Sequence, residues 1–389
     1  MNSAAPAEPA EPAAIMRSIL QRIATGPELS KDISREEARA GMRFILEGQV
    51  DPVQAGVFLI ALRMKRETDD ENLGVLQAIL DATHSITAPV DEVVDIADPY
   101  DGFTRTLPAS PFLPAVLAAC GVAAIAHGVE SMGPKHGVTH RNVLRAAGLP
   151  VDLSVEEAAA RLGDPACGWA YLDQRAFCPK LHQLTALRTL IVKRPSITTV
   201  EVLTRPLRGR RKTHLVTGYV HKPYPRIYAL LARAAGFDSA LLVRGVEGGV
   251  VPSLRQEGKA YYYHERGEEL PVEFDPREWG IEQALRAPQI PGTAGGESGT
   301  AAAGPDTALV ANAAAKAGLD ALRGDHGATR DALVCAGALC LWHLRRYDSF
   351  SAAADAVPRF STTAVYLHVL VAERMPAVRP AGLSIGFKV

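Results

Sequence analysis

The sequence predicts an α/β protein: a small N-terminal helical domain followed by a larger α/β domain with a mainly parallel central sheet. Two observations carry this. Residues 16–87 show apolar positions at helical spacing, punctuated by helix-start signals. Beyond them, Val93-Val94-Asp95-Ile96-Ala97 and Val122-Ala123-Ala124-Ile125-Ala126 are short apolar runs that end in polar, Gly-bearing turns, with a helix-like stretch over 111–120 between them. Parallel strands buried on both faces look like this, and ligands of open α/β sheets sit beyond the carboxyl ends of such strands. Loops 98–102 and 127–130 are therefore expected side by side at one mouth.

In the helical part, Ser34 with Glu37 and Thr68 with Glu71 are capping-box pairs, and Asp51-Pro52 marks a third helix start. Residues 1–14, rich in Ala, Pro and Glu, read as a disordered tail. The helical domain is assigned to 15–88 and the α/β domain to 89–355, with room for helices to be exchanged between them. Later elements are a helix over 227–235, a buried strand from Ala240 into a Gly-rich turn, and a strand pair around Tyr261-Tyr262-Tyr263. Residues 289–305 read as a mobile low-complexity loop, 307–354 as helical, and 356–389 as an atypical C-terminal tail.

Composition narrows the function classes. The 389 residues are 47% apolar and 22% charged with a net charge of −1, which gives no global attraction to nucleic acid or membrane, so a nucleic-acid role needs a local patch. The five cysteines are scattered and lack a CxxC pair, as expected of reduced core thiols. No secretion signal is read at the N-terminus, and no apolar run approaches the roughly 20 residues that span a bilayer. A cytoplasmic protein is expected.

The loop after the first strand carries the candidate chemistry. Gly102, Thr104 and Ser110 lead into a helix and offer N–H groups and hydroxyls suited to phosphate, with Arg105 adding charge; a purely steric role for such a turn is the alternative. Arg205, Arg208, Arg210, Arg211 and Lys212 form a dense basic cluster, either a solvated loop or a phosphate or nucleic-acid contact.

The segment ISREEARAGMRFILEGQVDPVQAGVFLIALRMKRETDDENLG resembles the N-terminal helices of the anthranilate phosphoribosyltransferase family, also called glycosyltransferase family 3, which includes the pyrimidine nucleoside phosphorylases. The resemblance runs over about residues 16–355 and implies a nucleoside phosphorylase/phosphoribosyltransferase-like fold. The family's Gly-Thr-Gly-Gly-Asp-Gly diphosphate loop is replaced here by Asp98-Pro99-Tyr100-Asp101-Gly102, of which Asp101 and Gly102 match. Its Lys-His-Gly-Asn-Arg becomes Ala126-His127-Gly128-Val129-Glu130, and a second Lys135-His136-Gly137 follows. The resemblance thus implies a sugar-diphosphate site of Asp101, Gly102, Thr104, Arg105, Ser110, His127, Gly128, Lys135 and Thr139. It directs Arg188 and Val129 toward the acceptor, where a guanidinium fork suits a carboxylate; a solvated helix Arg is the alternative. The family's Mg²⁺ carboxylates are replaced by Val250 and Val251, which leaves Glu247 as the one candidate ligand.

What the resemblance implies is transfer of phosphoribosyl from phosphoribosyl pyrophosphate to an aromatic amine or base resembling anthranilate. Pyrophosphate leaves, catalysis rests on positioning and charge stabilisation without a protein nucleophile, and the setting is tryptophan biosynthesis. A homodimer is implied. Two alternatives stand beside it: a non-catalytic nucleic-acid-binding relative using the basic cluster and Arg244, and a nucleoside phosphorylase.

Overall fold

The computed structural model describes residues 11–26, 28–292 and 306–359. The expected tail over 1–14 and mobile loop over 289–305 lie largely outside the described residues, as does the C-terminal stretch from 360. The first helix, α1 (Pro12–Ile23), begins with Pro at its first position and buries Met16, Ile19 and Ile23. Its first three residues lie inside the stretch read as tail.

Helices α2 (Arg35–Leu46), α3 (Pro52–Lys65) and α4 (Asp69–Asp81) start where the sequence signals place them. Ser34/Glu37 and Thr68/Glu71 form complete capping boxes, and Asp51 accepts from Val53 N–H. Glu71 does more than cap. Fully buried, it also accepts Ile33 N–H at 2.9 Å and the Lys65 ammonium at 2.8 Å, tying α3, α4 and the segment before α2 together.

Among the described residues seven strands form one sheet in the order β4-β3-β2-β6-β7-β8-β9. They are β2 (Glu92–Ala97), β3 (Ala124–Gly128), β4 (Trp169–Asp173), β6 (Lys212–Tyr219), β7 (Ser239–Arg244), β8 (Gly258–Tyr263) and β9 (Leu270–Phe274). The first five in that order run parallel, and β8 and β9 add an antiparallel edge. The short strands β1 (Ile86–Thr87) and β5 (Leu207–Arg208) pair separately. The sheet is covered on both faces, which is why its strands read as unbroken apolar runs. Along β2, Val94 and Ile96 join a core with α5 (Leu113–Ala119) and helices Thr307–Arg323 and Ala328–His343. Val93 and Ala97 point the other way, into a core shared with α1 to α4 and helix Tyr224–Ala235. The four N-terminal helices therefore close over one face of the sheet. Short helices between Gln174 and Val200 fill the corner beside α3 and α4.

All five cysteines are free, and four are buried, as core thiols should be. Among the described residues no helix is long and apolar enough to cross a membrane.

Candidate functional site

The carboxyl ends of β2, β6 and β7 open under α3 into a cleft of about 120 Å³. Its floor is Ala97 and Pro99 after β2, Thr217 to Val220 at the end of β6, and Glu247 and Gly248. Its walls are Arg63 of α3, Arg194, Thr198, Val202, His221, Tyr224 and Tyr228. Two local features shape the floor. Thr217 donates its hydroxyl to Ala97 O at 2.7 Å, stitching the ends of β6 and β2. A Cβ on Gly218 would run into the carbonyl oxygens of Gly248 and Gly249, so only glycine lets the 245–249 turn lie against the strand end.

The walls combine cations with aromatic rings. Arg63 donates to Tyr224 Oη at 2.7 Å and stacks near its ring, while burial pushes the Tyr219 phenol up to about 12. Arg194 grips Asp101 through Nε at 3.0 Å and Nη2 at 2.7 Å. Lys193 and Lys222, next in sequence to the lining residues Arg194 and His221, and Arg244, in register with Tyr219, are exposed and make no ion pair among the described residues.

The loop expected to cradle phosphate is already engaged by an anion. The Glu247 carboxylate accepts Thr104 N–H at 3.0 Å, Arg105 N–H at 3.0 Å, Thr106 Oγ1 at 2.9 Å and Thr104 Oγ1 at 3.2 Å; the Arg105 guanidinium lies 3.8 Å away. Glu247 reaches in from a left-handed backbone position at φ 53°, uncommon for a residue with a side chain, and its side chain is only 3% exposed. This carboxylate is thus not free for Mg²⁺. Val250 is buried and spends its N–H on Asp98 at 2.8 Å, and among the described residues no His, Cys, Asp and Glu side chains converge as a metal site. The donor set does not fit the protein-held Mg²⁺ that the resemblance implies.

Other residues expected at the sugar-diphosphate site make contacts within the protein. Gly102 sits at φ 75°, and a Cβ there would lie 2.6 Å from the Gly137 carbonyl, so its need is steric. Lys135 is turned onto Gly102 O at 2.9 Å and Asp101 at 3.3 Å. Ser110 is buried in a network with Asp98 and His140. His127 is buried between Asp95, at 2.7 Å, and the Tyr100 hydroxyl, at 2.5 Å, inside the sheet. Gly128 ends β3 beside Tyr171. Thr139 is the N-cap of a helix over His140–Ala146, paired with Asn142.

The two residues expected at the acceptor are both buried. Arg188 is 2% exposed and its fork is taken by Glu201, with Nη2 at 2.9 Å. Burial also raises the Glu201 carboxyl above its usual range, against the pull of Arg188. Val129 is fully buried in the core. The basic cluster is divided. Arg205 is spent on Gly236 O, Arg208 buries an unpartnered Nε, and Arg210, Arg211 and Lys212 lie at the amino end of β6, one strand length from Arg244 at the carboxyl end of β7. They do not form one footprint with it. Arg63 is the cleft residue that the sequence did not single out; the Ala-Leu-Arg-Met-Lys run containing it was the available signal.

A model of the glycosyl transferase family, helical bundle domain, matches residues 17–83. An uncharacterised protein of Aquifex aeolicus is 29% identical over 65% of this chain and 74% of its own length. Escherichia coli YbiB is 28% identical over 69% and 87%, and an anthranilate phosphoribosyltransferase of Methylobacterium radiotolerans is 29% identical over 66% and 71%. Among solved structures, Thermus thermophilus anthranilate phosphoribosyltransferase superposes with a TM-score of 0.70 at 19% identity, covering 92% of this chain and 98% of that one. At that identity the likeness is one of fold. The chain thus carries the helical bundle domain of the glycosyl transferase family at its N-terminus and shares the overall fold of anthranilate phosphoribosyltransferases.

Proposed function

We propose that this chain is a family member that binds a nucleotide-bearing ligand at the cleft mouth and does not transfer phosphoribosyl. The observation that carries the reading is Glu247: its carboxylate takes the loop N–H groups that a diphosphate would need. A yeast anthranilate phosphoribosyltransferase of the same fold is known in complex with phosphoribosyl pyrophosphate and Mg, and transfer to an anthranilate-like amine is the competing reading here. That chemistry relies on preorganised donors, each worth on the order of 3 kcal/mol, and here the loop donors meet an internal carboxylate instead.

Supporting a nucleotide as ligand are the aromatic wall of Tyr219, Tyr224 and Tyr228 and the exposed cations next to lining residues, Lys193, Lys222 and Arg244. Rings stack on bases and cations meet phosphates, in a single strand as in a mononucleotide. The test is fluorescence anisotropy of a labelled single-stranded oligonucleotide, with a mononucleotide as competitor. Binding that weakens steeply with salt and is lost in Lys193→Glu/Arg244→Glu supports the strand; competition by the mononucleotide alone supports the single unit; no binding of either sinks the reading. We infer also that a second copy covers the exposed Val53 and Met64 of α3 and the neighbouring Leu190 and Val192, apolar side chains 65 to 79% exposed in the single chain.

A further inference from the structure

The loop 104–106 presents an oxyanion site whose occupant is supplied by the chain itself. Four donors, two from backbone N–H groups and two from hydroxyls, converge on one carboxylate, and the same donor geometry suits a phosphate or another oxyanion. Glu247 belongs to a turn between Gly245 and Gly248-Gly249, 143 residues away from Thr104 in sequence, so nothing local to the loop requires it. Its left-handed backbone is a conformation that persists only where surrounding structure holds it, here the backbone hydrogen bonds of the turn together with the four donors on its carboxylate. Glu247 also lines the cleft, so the loop site and the cleft share a wall.

We propose that Glu247 is a built-in plug: it fills an oxyanion-binding loop, and removing its side chain opens that loop to external inorganic phosphate or pyrophosphate. The inference stands on the loop alone and does not need the nucleotide reading of the cleft mouth.

The experiment compares wild type, Glu247→Ala and Glu247→Ala/Thr106→Val by calorimetric titration with phosphate and with pyrophosphate, and by the shift of Tm each anion causes. Glu247→Ala is expected to bind phosphate at least roughly tenfold more tightly than wild type and to gain Tm with anion concentration, since a ligand of the folded state stabilises it. Adding Thr106→Val should remove most of that gain by deleting one hydroxyl donor. Equal phosphate binding by wild type and Glu247→Ala would overturn the proposal, as would undiminished binding by the double variant. Should Glu247→Ala be isolated unfolded, recovery of the folded state on adding pyrophosphate is the expected result, and failure of both anions to restore it overturns the proposal. Oligonucleotide binding by wild type is read separately, so loss of either conclusion leaves the other measurable.

Discussion

Arg188 offers the sharpest energetic test, because the structure assigns it to the core instead of to a ligand. Replacing it with Met deletes the guanidinium while keeping bulk, and leaves Glu201, fully buried, without its counter-charge. Breaking a buried pair from one side costs about 3–5 kcal/mol, a large share of the roughly 5–15 kcal/mol that holds a domain folded. The double variant Arg188→Met/Glu201→Leu removes both charges and should recover most of the loss, since a well-packed apolar pair often equals a buried ion pair. The sign of the pH dependence follows from Glu201. Its carboxyl is raised by burial, so the native state takes up a proton more readily than the unfolded chain, and acidification favours folding through this group. With Arg188 gone that tendency strengthens, so the deficit of Arg188→Met at pH 7 should shrink toward pH 5. Urea unfolding of the full chain, with midpoints and slopes recorded at both pH values, measures this. An unchanged midpoint in Arg188→Met, or a deficit that widens in acid, would refute the assignment; weakened ligand binding at unchanged stability would return Arg188 to the site.

The remaining predictions concern other parts of the fold. His214 donates to or accepts from Ser239 at 2.7 Å, Ser239 meets His343 at 2.8 Å, and burial pushes the His214 pKa from 6.5 down to about 4. The unfolded chain therefore binds the proton first on acidification. Stability from this group is full above pH 6.5 and declines below it, by about 2 kcal/mol between pH 7 and 5, and His214→Gln should flatten that slope in thermal melts. Gly218→Ala should cost several degrees of Tm and distort the cleft floor, because its Cβ meets the Gly248 and Gly249 carbonyl oxygens. Met64→Glu/Leu190→Glu places charges on the exposed apolar face and should convert a dimer to monomers in light scattering; a wild-type monomer would contradict the inferred second copy.

Much of the fold was legible because its signals are local. Ser34/Glu37 and Thr68/Glu71 announce helix starts within four residues, and Val93 to Ala97 shows an apolar run that only a sheet buried on both faces needs. The site was less legible for the opposite reason. Thr104 and Glu247 are 143 residues apart, and no pattern near either one announces the bond. Arg188 kept the register of a family motif, yet Glu201, thirteen residues on, decides what its fork does. Of the two loops expected at the mouth, 98–102 supplies Pro99 and Asp101 to the cleft while His127 and Val129 of the other are buried, and the partner of each charged group emerged only from the tertiary fold. A similar limit applies to the basic cluster, where five neighbouring cations in sequence are divided between half-buried and solvent-facing positions.

The central claim, that the donor-diphosphate loop is closed by the chain's own carboxylate, is met most directly by calorimetric titration of the full wild-type chain with phosphoribosyl pyrophosphate in the presence of Mg²⁺. The account predicts no saturable heat. Micromolar binding, followed by release of pyrophosphate when anthranilate is added, would contradict it and restore the transferase reading.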